Sequence, residues 1–214
     1  MKTLNQYIQE KLIINKDYQD AGISPKSFDE LRKIIEDRYN KLGPGTEQDP
    51  IDFNDIDVSN LDSFCNDEDD GIFQKINFKY IDISDLDVSN VKSMSFMFYK
   101  CQELKSVGDI SGWDISSVTD MSYMFAFCKK FNQDLSKWDV SSVTDMSYMF
   151  ACCEYFNHNL SNWNVSNVVD MRYMFAGCHS FNQDTSNWNV SKVLYKLNIF
   201  THCPIKNEYK PKFK

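Results

Sequence analysis

The chain has 214 residues, among them 16 Phe and 11 Tyr but only 7 Gly and 5 Pro, which leaves room for one elongated domain with a well-filled aromatic core and argues against low complexity. The formal net charge of −8 is uneven: residues 46–110 carry 5 basic against 15 acidic side chains, whereas residues 1–45 (8 and 7) and 111–214 (10 and 9) are near neutral. The short tail Lys206, Lys210, Lys212 and Lys214 is the only basic stripe, which argues against nucleic acid as a partner, and no run of about 18 apolar residues is present to span a membrane.

The opening MKTLNQYIQEKLIINK is interrupted by Asn, Gln and Glu. It lacks the roughly 7–15-residue apolar core of a secretory signal, and no lipobox-like cysteine follows, so the expectation is cytoplasmic synthesis. Leu4, Tyr7, Ile8 and Leu12 form a short stripe at helical spacing. Residues 27–42, SFDELRKIIEDRYNKL, predict a capped helix: Ser27 and Glu30 make a capping box, Phe28, Leu31, Ile35 and Leu42 one stripe, and Gly43-Pro44 a stop. Residues 1–45 then read either as an amphipathic cap over the first repeat or, through residues 1–20, as a docking segment for a separate partner. The opening is weakly similar to leaders of crAss-like phage proteins, which implies a virion-associated component, an assembly part docked through that segment.

Residues 46–85 read as acidic, degenerate first repeats. Their charge serves either solubility or a basic partner. Asp67-Glu68-Asp69-Asp70-Gly71 suggests a calcium loop, but with Gly71 sixth, the first and twelfth residues are Asn66 and Asn77, so both end ligands are wrong. An acidic surface turn fits better.

Trp113, Trp138, Trp163 and Trp188 are spaced by 25 residues, and their surroundings repeat in step. The segments read WDISSVTDMSYMFAFCKKFNQDLSK, WDVSSVTDMSYMFACCEYFNHNLSN and WNVSNVVDMRYMFAGCHSFNQDTSN. A truncated copy follows from Trp188, a degenerate one precedes from Leu86, and a faint echo starts at Ile56. A period of this size marks an array in which one supersecondary unit stacks on its copies. Leu135, Trp138 and Val140 have the spacing of a short strand. From Val140 through Val143, Met146, Met149 and Cys153 the apolar gaps become helical. The fold class expected is an α/β repeat solenoid, leucine-rich-repeat-like, with one short parallel strand plus a helical or 3₁₀ segment per unit and an α-helical N-terminal cap. The solenoid proper covers 86–203 and a basic tail covers 204–214.

L-x-x-W-x-V-x-x-V resembles the leucine-rich-repeat signature with Trp and Val in Leu positions, and M-S-Y-M-F-A-x-C-x-x-F-N is similar to half of a BspA-type repeat. The whole unit, W-[DN]-V-S-x-V-x-x-M-x-x-M-F-x-x-C-x-x-F-N, resembles the DUF285 repeat (BspA-like, mycoplasma surface lipoprotein) over about residues 86–203. The resemblance implies a binding solenoid, often at cell surfaces, without enzymatic activity.

Cys101, Cys128, Cys153, Cys178 and Cys203 recur once per unit and read as small buried hydrophobes. No C-x₂₋₄-C pair offers zinc its ligands, and His158, His179 and His202 share no repeat position, so neither metal, cofactor nor catalytic base is expected. Asn132, Asn157 and Asn182 read as asparagines capping their own turns. Asp87, Asp114, Asp139, Asn164 and Asn189 should point outward in a row, beside the variable Gly112, Lys137, Asn162 and Asn187. Two readings stand: a self-satisfying polar ladder, or a binding face made of Asp114, Lys137, Asp139, Asn162, Asn164, Asn187 and Asn189. The function expected is a non-enzymatic binding protein holding a protein or glycan partner, with the docked assembly component as the alternative.

Overall fold

The computed structural model describes residues 23–66 and 70–213; the stripe Leu4, Tyr7, Ile8 and Leu12 and the acidic residues 67–69 lie outside them. In chain order the named elements are α1 (Phe28–Leu42), the two-residue strands β1 (Ile51–Asp52) and β2 (Ile81–Asp82), and 3₁₀ turns at Ile110–Gly112 and Asn207–Tyr209. Helix α1 starts where Ser27 Oγ accepts the Glu30 amide at 3.2 Å and stops at Gly43, whose φ of 77° only glycine adopts freely. The Glu30 carboxylate accepts from the Lys26 amide at 2.7 Å, one residue before the Ser27 amide that a capping box uses. Leu31 and Ile35 enter the core. The buried Arg38 forks onto both carboxylate oxygens of Asp55 at 2.6 and 2.7 Å.

Beyond the helix, equivalent residues of successive units stand side by side. Parallel pairing joins Ile51 to Ile81, and single parallel bridges run from Ser63 to Ser93, Asp120, Asp145, Asp170 and Tyr195. Units turn corners at Asp/Asn-x-Ser steps, up to three in each. In one unit Asp134 Oδ1 accepts the Ser136 amide (2.9 Å), Asp139 that of Ser141 (3.0 Å) and Asp145 that of Ser147 (2.8 Å). The residue between, Leu135, Val140 or Met146, points into the core and is buried. These are Asx turns, in which a side-chain oxygen takes an amide that secondary structure would otherwise use.

That competition explains why the strand expected over Leu135–Val140 is absent. The amides of Ser136 and Ser141 go to the Asx oxygens, and those of Trp138 and Val143 close turns onto Leu135 and Val140. Parallel pairing falls instead at Asp120, Asp145 and Asp170 and continues through the stretch expected to be helical. There the amides of Met149, Ala151 and Cys153 close turns onto the residue three before. Those of Met146, Tyr148, Phe150 and Cys152 donate to the carbonyls of Asp170, Arg172, Met174 and Ala176 in the next unit. Tyr148 and Cys152 adopt positive φ (58° and 59°), as do Tyr123, Phe127, Tyr173 and Gly177. The segment is a ribbon of overlapping turns, each bonded forward to its successor.

Spines of like residues fill the interior. Phe98, Phe125, Phe150, Phe175 and Phe200 stack in series with ring centroids 5.3–5.8 Å apart. Each tryptophan indole donates one unit back: Trp113 to Ile83 O, Trp138 to Ile110 O, Trp163 to Leu135 O and Trp188 to Leu160 O, at 2.9–3.2 Å. The thiols of Cys101, Cys128, Cys153 and Cys178 donate likewise to Phe73, Phe98, Phe125 and Phe150 carbonyls. Asparagine behaves otherwise than expected: Asn132, Asn157 and Asn182 accept amides of the following unit, Asn157, Asn182 and Lys206, at 3.0–3.1 Å, and so join units rather than cap their own turns. Residues 204–213 fold back on the last unit, where Thr185 donates both its amide and its hydroxyl to Tyr209 O.

Trp163→Phe keeps most of the packing but removes one inter-unit bond. It should cost roughly 1–3 kcal/mol in a urea melt with little change in the slope.

Candidate functional site

The seven predicted face residues are all exposed, in two neighbouring rows. Asp114, Asp139, Asn164 and Asn189 each spend an oxygen on the amide two residues on, at 3.0–3.2 Å. They hold corners of the fold, which is why Asp and Asn recur there. Of the other row, Asn187 donates to Ser161 O at 2.9 Å, and Asn162 lies open to solvent. Lys137 faces a polar recess of about 520 Å³ with Asp109, Ser111, Gln133 and Asp134. Of the seven, Lys137 alone lines that recess.

A different surface is shaped for a ligand. On the turn ribbon, Phe96, Tyr123, Tyr148 and Tyr173 stack with centroids 4.6, 4.4 and 4.7 Å apart and form a half-exposed aromatic stripe. Four residues later in each unit comes a second positive-φ position, filled in turn by Lys100, Phe127, Cys152, Gly177 and His202. Its side chain shrinks from Phe127 to Cys152 to Gly177, and the missing bulk leaves a hollow of about 460 Å³. Tyr123, Tyr148 and Tyr173 line one side, Ala151 and Ala176 the floor, and Phe127 and His202 stand at the two ends. Almost no oxygen or nitrogen reaches its walls. Burial, with Tyr148 alongside, pushes the Tyr123 phenol up to about 12. Sequence reasoning passed over these residues because their signal lies in variation: Tyr recurs unchanged while the residue four later changes size.

Little else here points to chemistry. Burial pushes the Cys101 thiol up to about 12 and those of Cys128, Cys153 and Cys178 well above the ordinary value, so they are poor nucleophiles. His158 touches the Asn132 carbonyl at 3.1 Å and His179 is exposed. Among the described residues, no three His, Cys, Asp or Glu side chains gather to hold a metal, and no helix is long and apolar enough to cross a membrane.

These stacked, sequence-equivalent units define a repeat protein. The family model described as Mycoplasma protein of unknown function, DUF285, matches residues 51–108, 67–164 and 103–212, and the chain belongs to that family. No curated protein and no solved structure matches it.

Two predictions follow from the corner and core geometry. Hydrogen bonds from the serine two residues on hold Asp109, Asp114, Asp134 and Asp184 below the ordinary 3.8. Their contribution is complete above that value and is lost as pH falls through the lowered ones. Asp145 runs the other way: burial raises it, so its ionisation above 3.8 opposes folding. Because the lowered group is larger, stability should fall on acidification below about pH 4. The double variant Asp114→Asn/Asp134→Asn should flatten that fall in a circular-dichroism titration, since Asn164 and Asn159 build the same corners without a charge. In the native protein Ellman's reagent should reach the half-buried Cys65, Cys152 and Cys203 first. Cys101, Cys128, Cys153 and Cys178 should react only on unfolding.

Proposed function

We infer that the chain is a non-enzymatic binding protein, a leucine-rich-repeat-like solenoid whose tyrosine face takes an apolar side chain of a protein partner. The observation carrying this reading is the hollow between Phe127 and His202, opened by Cys152 and Gly177 on an otherwise uniform ribbon. An apolar hollow walled by aromatic rings suits an aromatic or aliphatic anchor, the kind of residue that dominates protein interfaces. A sugar ring would leave its hydroxyls short of partners there, which favours protein over glycan.

Cys152→Phe tests the reading without straining the backbone, because Phe127 holds the equivalent position at φ 63° against 59° for Cys152. A displayed peptide library panned on the wild-type protein should yield sequences with a common aromatic or aliphatic anchor. Those peptides should bind the folded Cys152→Phe protein at least about tenfold more weakly, a loss of about 1.4 kcal/mol. Anchored peptides that bind both proteins equally would overturn it.

A further inference from the structure

The two ends of the stack are chemically opposite. Along the overlapping turns, alternate amides donate forward: Tyr173, Phe175 and Gly177 donate to Leu197, Ile199 and Thr201 carbonyls at 3.0, 2.9 and 2.8 Å, and the carbonyls that accept them face backward. Just ahead of these turns the amides of Val169, Asp170, Leu194 and Tyr195 donate the other way, to Thr144 and Val169. At the first unit the backward-facing Gly71 and Gln74 carbonyls are capped by the Arg32 guanidinium from α1. At the last unit the equivalent forward amides, those of Asn198, Phe200 and His202, have no acceptor among the described residues.

This last unit also departs from the repeat where it meets solvent. Inner units read Thr144-Asp145-Met146-Ser147, whereas the last reads Leu194-Tyr195-Lys196-Leu197. Leu194, Tyr195 and Leu197 are 72%, 53% and 58% exposed, and they are three of the four exposed large hydrophobic residues in the described chain. Apolar groups stand where inner units carry the exposed Thr144, the half-buried Asp145 and the buried Ser147, and here they face water. The same stretch of chain carries Lys192, Lys196, Lys206, Lys210 and Lys212, with Glu208 the single acid in residues 192–213.

We propose that residues 193–202 form a docking edge for an extended acidic peptide, whose backbone carbonyls accept the Asn198, Phe200 and His202 amides while its apolar side chains cover Leu194, Tyr195 and Leu197. Strand addition to an unpaired edge is an established mode of peptide recognition. Charge selects the occupant: the edge presents donors and lysines, so the partner brings acceptors and carboxylates. A second copy fits poorly. Two such edges would oppose donor to donor, and the acceptor end of another copy is already occupied by Arg32. The edge borders the hollow through Thr201 and His202 but stands on its own observations.

The test uses the full chain and a labelled, end-blocked peptide of alternating Glu and Val, with a Lys-Val peptide of equal length as control. Fluorescence anisotropy should register the Glu-Val peptide binding at least about tenfold more tightly than the Lys-Val one, and more weakly as salt rises. Amide shifts in nitrogen-15 spectra should concentrate at Asn198, Phe200 and His202. The variant Leu194→Thr/Tyr195→Asp/Leu197→Ser restores residues that inner units already use, so it should fold and lose about tenfold in affinity. Cys152→Phe should leave this affinity unchanged, which separates the edge from the hollow. Equal binding of both peptides, undiminished binding by the triple variant, or shifts elsewhere would overturn the proposal. So would self-association of the wild type that the triple variant abolishes, which would make a second copy the occupant.

Discussion

The whole stack depends on one local bond, the side-chain oxygen of Asp or Asn accepting the amide two residues further on. It forces a corner, and it throws the intervening residue inward, so Leu135, Val140 and Met146 reach the core as a consequence of the Asp-x-Ser steps that flank them. Polar surface and apolar interior are thereby specified together. A unit bent at three such corners can neither extend as a strand nor close as a helix, and its remaining backbone groups must find partners in the next unit.

Those partners arrive in register because the interior is made of spines. Phenylalanine rings stack on phenylalanine rings, indoles and thiols reach back to carbonyls one unit earlier, and asparagines reach forward to amides one unit later. Each contact joins nearest neighbours only, so stability accumulates unit by unit. The tryptophan and the cysteine serve as donors in an otherwise apolar core, which makes both more than space-filling.

The period, the inward positions and the buried cysteine row were legible in the sequence, because identity at a fixed spacing needs no knowledge of backbone geometry. Helix α1 was legible from Ser27, its apolar stripe and Gly43. The backbone path within a unit was not. Apolar residues three apart suit a helix and a chain of overlapping turns equally, and only the left-handed positions of Tyr148 and Cys152 separate the two. Asp114, Asp139, Asn164 and Asn189 drew attention as an exposed polar row, yet their exposure accompanies a structural duty. The hollow escaped notice for the opposite reason: Cys152 and Gly177 matter through bulk they lack.

The forward donation that predominates among the backbone amides of the turn ribbon also has an electrical meaning. Peptide dipoles that point along the stack add, as they do in an α-helix. In a helix, however, the amino-terminal end is positive, and here the carboxy-terminal end holds the bare amides. The stack is thus a reversed dipole: the Arg32 guanidinium sits at its negative pole, and the lysines of residues 192–213 deepen the positive potential at the other. An approaching anion would be drawn toward one end of the molecule before it touched any side chain.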